Sequence, residues 1–166
     1  LANIYLHEVL DTWWVEDVLP RLRGRAFLIR YADDFVMVFS DREDAERVFA
    51  VLPKRLDRFS LALHPEKTRL IRFRNPNNGP GDNGTFDFVG FTLFWGRTRR
   101  GKWSLKRKTS SARFSRAMRA MNVWLARVRH VPIGRQIEML VPKMRGHFNY
   151  YGVRGNSASL RRFSYE

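Results

Sequence analysis

Two adjacent carboxylates, Asp33 and Asp34, stand between two short apolar runs at residues 26–32 and 35–39. Like charges held side by side repel, and flanking apolar strands cost them solvation, so the pair asks for a compensating partner. Turn chemistry gives a weak reason for them, because a two-residue hairpin turn favours Asn-Gly or Asp-Gly. A bound Mg²⁺ gives a better one: the hard cation takes carboxylate oxygens together with waters and substrate phosphates. Two such ions a few ångströms apart align an attacking and a leaving oxygen for phosphoryl transfer. A solvated acidic turn partnered by Arg30 accounts for the same residues, and on the pair alone both readings stay open.

Other chemistries drop out. The chain has no cysteine, which excludes disulfides, thiolate zinc sites and a cysteine nucleophile. Its four histidines lie far apart and give no HExxH spacing. The 166 residues carry a formal charge of +15, very unevenly placed. Residues 1–74 hold 13 Lys+Arg and 12 Asp+Glu, whereas residues 75–166 hold 18 and 4. A basic block of that size points to a polyanion, and nucleic acid is the commonest. Arg97, Arg99, Arg100, Lys102, Lys106, Arg107 and Lys108 form its densest part, with Trp95 and Trp103 available to stack on bases. A basic surface without chemistry is the competing reading. No apolar run approaches the roughly 20 residues of a membrane span, so the expectation is a soluble, intracellular chain with no membrane partner.

The elements that would position these groups follow from periodicity. Leu1, Ile4, Leu6, Val9, Leu10, Trp13 and Trp14 recur near helical spacing, in a helix with no start signal that reads as cut rather than begun. The runs around Asp33-Asp34 predict a β-hairpin with the two acids at its tip. Ser40 with Glu43 forms a capping box for a helix carrying Ala45, Val48, Phe49, Leu52, Leu56 and Phe59, which Pro53 should kink or interrupt. Strand-like segments are expected at 61–63 and 68–73, then a loop over 75–84. A second hairpin should pair 86–95 with 102–108. From Ser110 the period turns helical, with Phe114, Ala117, Met118, Met121, Leu125 and Val128 on one face and Arg113, Arg116, Arg119 and Arg127 on the other. A further helix spans Ile133 to Phe148, with a break expected at Pro142, and another starts near Ser157.

Tyr31-Ala32-Asp33-Asp34 resembles the YxDD motif of reverse transcriptases, and its YADD form followed by apolar residues resembles the enzymes encoded by group II introns. Four further blocks occur in that family's order. Leu1 to Leu6 resembles the end of the motif preceding YADD, and Leu61 to Thr68 resembles the LxLxPEKT block, with His64 where Asn is frequent. Phe88-Val89-Gly90-Phe91 resembles the FLGF primer grip, and Lys143 to Gly152 resembles the LRGHxxYYG stretch of the maturase, or thumb, region.

The resemblance implies an α+β fold: a partial polymerase palm over 1–74, a loop, primer grip and basic hairpin over 75–108, and a truncated helical thumb/maturase domain over 109–166. It implies an RNA-directed DNA polymerase using two Mg²⁺, with Asp33 as metal ligand, Asp34 as its acidic partner and Lys67 near the incoming triphosphate. Tyr31, Phe88, Gly90 and Phe91 would meet the primer, and the basic residues 97–108 with Arg113 and Arg116 would track nucleic acid. His147, Tyr150 and Tyr151 are candidates for an RNA surface, against a packed seam between helices as the favoured reading. The implied partners are template or intron RNA, a DNA primer or target, and deoxynucleoside triphosphates, in a bacterial cytoplasm or an organelle. The family's third catalytic carboxylate lies upstream of Leu1, so the isolated segment is expected to be inactive. A non-catalytic intron-RNA-binding module and an inactive relic are the alternatives.

Overall fold

Val9, Trp13, Trp14 and Val18 sit four and five residues apart, and the chain winds loosely enough to bury all of them on one side. In the computed structural model, which describes residues 2–78 and 84–165, α1 (Ala2–Leu6) passes into π-helical stretches at His7–Thr12 and Trp14–Val18. A 3-10 turn at Leu19–Arg21 ends this helix. The chain divides into two compact units, Leu1–Arg72 and Phe73–Glu166.

In the first unit, β1 (Ala26–Tyr31) and β2 (Asp34–Phe39) pair antiparallel, from Ala26 opposite Phe39 to Tyr31 opposite Asp34. Strand alternation splits the hairpin into two faces. Ala26, Leu28, Phe35, Met37 and Phe39 pack on a core of Val9, Leu10, Trp13, Trp14, Val18, Val48, Leu52 and Leu56, while Phe27, Ile29, Tyr31 and Val38 stay exposed. The core's second wall is α2 (Arg42–Asp57).

The capping box expected from Ser40 and Glu43 is not used. Ser40 extends the hairpin instead: its N–H donates to the Arg25 carbonyl at 2.9 Å and its hydroxyl accepts from the Arg25 N–H at 2.8 Å. Asp41 caps α2, accepting from the Asp44 N–H at 2.9 Å. Asp44 is buried, and its carboxylate takes the N–H groups of Arg23 and Gly24, both at 2.8 Å, and pairs with Arg47. The Gly24 N–H, ahead of Arg47, holds that carboxyl below its ordinary range against the opposing effect of burial. Pro53 leaves α2 uninterrupted; near the helix end it forfeits a single backbone bond. The expected strands at 61–63 and 68–73 do not form, apart from one bridged residue at Phe73, because no neighbouring strand among the described residues takes up their backbone groups. Of the loop expected over 75–84, Pro76–Asn78 forms a 3-10 turn, and residues 79–83 lie outside the described residues.

In the second unit, β3 (Phe86–Phe88), β4 (Phe91–Arg97) and β5 (Trp103–Thr109) form an antiparallel meander. The arm expected as one strand over 86–95 is therefore two, folded at Val89-Gly90. Helices α3 (Ser111–Val128), α4 (Ile133–Tyr151) and α5 (Ser157–Tyr165) follow. Helix α4 runs through Pro142 without the expected break. Phe114 of α3 meets Phe163 of α5 edge-on, and His147 of α4 stacks on the same ring at 3.8 Å. Asn156 is buried at the junction: its side chain accepts from the Thr109 N–H and donates to the Thr109 hydroxyl, both at 2.8 Å, and donates to the Tyr151 carbonyl at 2.9 Å.

Candidate active site and nucleic-acid interface

The β1–β2 turn has only two residues between paired positions, Ala32 and Asp33, so Asp34 already belongs to β2. Both acids are exposed. The expected loss of solvation between apolar strands does not occur, because the turn projects past the core-facing part of the hairpin. Among the described residues, no side chain bonds either carboxylate. Ala32 takes φ +54°, a left-handed conformation that costs an L-residue about 1–2 kcal/mol.

Arg30 explains how that turn is held, and the partnership expected of it is wrong. It does not pair with Asp33 or Asp34. It sits on the core-facing side of β1 and forks onto Asp11, donating from Nε to Oδ1 at 2.8 Å and from Nη2 to Oδ2 at 2.6 Å. Its Nη1 donates to the Ala32 carbonyl at 2.9 Å and to Asn3 Oδ1 at 3.3 Å. The Arg30 hydrogen bond, with a smaller contribution from His7, lowers the Asp11 pKa against the opposing effect of burial. Sequence reading missed Asp11 and Asn3. The only available signal was an arginine placed, by strand alternation, among inward positions where a charge needs a partner.

Lys67 lies in an exposed turn, its N–H donating to the His64 carbonyl at 3.2 Å, and no bond joins it to the two acids. The donor set at Asp33-Asp34 suits a hard divalent cation: exposed carboxylate oxygens with open coordination positions. Among the described residues no three acids, histidines or cysteines come together to complete a metal site.

In the second unit the Val89-Gly90 turn is equally tight, with Phe88 opposite Phe91. Val89 has φ +48° and Gly90 φ +78°, the two positive values of a type I′ turn. Gly90 supplies this at no cost, whereas β-branched Val89 is strained. Helix α4 braces the turn from behind. The Tyr150 hydroxyl donates to the Val89 carbonyl at 3.1 Å, the Tyr150 ring stacks on Phe91 at 6.2 Å, and Tyr151 meets Phe91 edge-on at 5.4 Å. His147 lies 4.7 Å from the Tyr151 ring, so these three residues form a packed seam, with Tyr150 still half exposed. Burial, helped by Tyr150, pushes the Tyr151 pKa up, while Arg113 and Arg116 pull it down. Both guanidiniums therefore stand within electrostatic reach of the turn's support.

The basic hairpin does not present one flat track. Register puts Arg97 opposite Trp103, with the guanidinium 5.1 Å from that ring, and sets Arg107 on the same face. Lys106 and Lys108 occupy the other face, Lys106 donating to the Arg97 carbonyl at 2.6 Å and Lys108 lying 5.5 Å from the Phe94 ring. Arg99, Arg100 and Lys102 crown the loop between them. On α3, Arg113 and Arg116 are exposed.

The first unit is a two-stranded hairpin that carries an exposed acid pair and packs on helical segments. A family model described as reverse transcriptase (RNA-dependent DNA polymerase) matches residues 1–93, and the chain belongs to that family. No curated protein matches the chain. Membership carries RNA-directed DNA polymerase activity at family level, with template RNA, primer and deoxynucleoside triphosphates as partners and Mg²⁺ as the family's general metal. The matched segment contains Asp33, Asp34, Lys67 and the Val89-Gly90 turn, and stops before the basic hairpin loop. Among the described residues no helix is long and apolar enough to cross a membrane.

Proposed function

We propose that the intact protein is a reverse transcriptase of the group II intron-encoded kind, in which Asp33 is a metal-ligating acid, Asp34 its partner and Lys67 a counter-charge for the triphosphate. The reading rests on one observation above others: Asp33 in the two-residue turn and Asp34 at the start of β2 are exposed inside the matched region, and among the described residues no side chain bonds either carboxylate. Mg²⁺ held there would supply charge neutralisation at the α-phosphate and would lower the pKa of the attacking primer 3′-hydroxyl. Asp33 and Asp34 would hold and orient that centre. Tyr31, Phe88, Gly90 and Phe91 hold the primer end, and the basic hairpin with Arg113 and Arg116 binds template or intron RNA in the manner of a maturase. Residues 1–74 serve as palm, 75–108 as grip and basic hairpin, and 109–166 as thumb, in a bacterial cytoplasm or an organelle.

Asp33→Asn in the intact protein keeps side-chain shape and removes the charge. Primer extension should fall by orders of magnitude while RNA affinity holds. Extension at the unmodified rate would refute the catalytic assignment. A second reading, an intron-RNA-binding module without polymerisation, draws on the concentration of cations beyond residue 74. It requires Asp33→Asn to leave RNA binding and splicing support intact in a protein that never extends a primer.

A further inference from the structure

We infer that Arg30 is a positioning residue for the reaction at Asp33, acting with Asp11 to fix the turn that carries the acid. The inference rests on the proposed catalytic role of Asp33. Its physical ground is independent of that role. Ala32, immediately before Asp33, holds a left-handed φ of +54° without being glycine. Such a conformation persists where surrounding contacts over-determine it. Here the contact is the Arg30 Nη1 bond to the Ala32 carbonyl, 2.9 Å long.

That bond can be firm because the rest of the guanidinium has no freedom. The Arg30 side chain is 16% exposed and Asp11 26%, and the fork between them uses both carboxylate oxygens. Asn3 takes the remaining capacity of Nη1 at 3.3 Å. Asp11 in turn is carried by the π-helical stretch His7–Thr12, and such loosened turns are frequent at functional sites. The first helix thus reaches the YADD turn through one side chain. A lysine has the charge of Arg30 but only a point-like head, and cannot bind the carboxylate bidentately while also holding the carbonyl.

The test uses Arg30→Lys and Asp11→Asn in the intact polymerase, with Asp33→Asn alongside. Arg30→Lys should slow single-nucleotide addition about tenfold or more, the order expected when a charge-assisted hydrogen bond is removed. The triphosphate KM should stay within about twofold, since uniform binding is not what the change removes. Independently of activity, amide exchange at residues 32–35 should quicken about tenfold, while the α2 amides from Val48 to Leu52 keep their protection. Asp11→Asn should reproduce both effects more weakly, and it decides the matter alone if Arg30→Lys also strips protection from α2. Unmodified addition rates, or unmodified exchange at the turn, in variants that retain α2 protection would overturn the inference. If Asp33→Asn extends primers normally, the catalytic reading has failed instead, and the exchange measurement still tests the clamp.

Discussion

Replacing Asn156 with alanine removes the joint that ties β5, the end of α4 and the start of α5 together. The side chain is 1% exposed and makes three hydrogen bonds, at 2.8, 2.8 and 2.9 Å. Truncation leaves the Thr109 N–H without its partner in a poorly hydrated place, whereas the Tyr151 carbonyl keeps its bond from the Val153 N–H at 2.8 Å. One unsatisfied buried group costs about 1–3 kcal/mol and each of the two other lost hydrogen bonds about 0.5–1.5 kcal/mol, so the combined loss should be about 3 kcal/mol. That is a large part of the roughly 5–15 kcal/mol that keeps a domain folded. With a urea slope near about 1.5 kcal/mol/M, suited to a small unit, the unfolding midpoint should fall by about 2 M. Urea titration followed by far-UV dichroism, with amide exchange read on α4 and α5, measures it. Exchange should also rise at Val89 and Gly90, because the Tyr150-Tyr151 brace is anchored through the Tyr151 carbonyl. A midpoint shift below about 0.5 M would mean that water replaces the amide readily, and the reasoning about the joint would be wrong.

His147 is pressed between Phe163 and Tyr151, and burial lowers its pKa from the ordinary 6.5. The unfolded chain therefore binds a proton more readily than the folded one, so the second unit should lose stability as pH falls below about 6.5, and His147→Phe should abolish that slope in pH-dependent urea titrations. Neutralising Arg99, Arg100, Lys102 and Arg107 should weaken RNA binding and flatten the log-affinity against log-salt slope by about 0.7–0.9 for each phosphate that is no longer neutralised. The pair Arg42 and Arg58, at the two ends of α2, should change the slope far less when treated alike, and equal changes would make the basic hairpin an ordinary solvated surface.

The hairpin carrying Asp33 and Asp34 was legible because period-two alternation and the acid pair pointed to one place, and the α3 face was legible in its helical period around buried Phe114, although Leu125, expected on that face, is exposed. What escaped was decided by competition between distant residues. Ser40 has the sequence of a cap, yet its hydroxyl is spent on Arg25, fifteen residues upstream, and Asp41 caps instead. The nearest acids are the obvious partners for Arg30, whereas its actual partner is nineteen residues back. The fold at Val89-Gly90 was hidden because valine is a poor choice for positive φ, tolerated here by the brace from α4. Neither Pro53 nor Pro142 ends its helix, since a long helix survives the loss of one backbone bond. Loose π winding has no periodicity signal in a window already satisfied by an α-helical pattern.

That winding makes the first helix sensitive to its length more than to its composition. Each residue removed from a helix turns everything beyond it by about 100°. Deleting a residue between Asp11 and Trp14 with the winding unchanged would turn the tryptophans out of the core or Asp11 off Arg30, whereas tightening to α geometry would absorb the gap by restoring an i, i+3, i+4, i+8 face. Side chains such as Glu8 and Val15, which face water, can be exchanged freely. The count of residues can change only if the winding changes with it, so a gap here that left the winding as it is would disable the turn at Asp33 from a distance, with every residue of the YADD motif still in place.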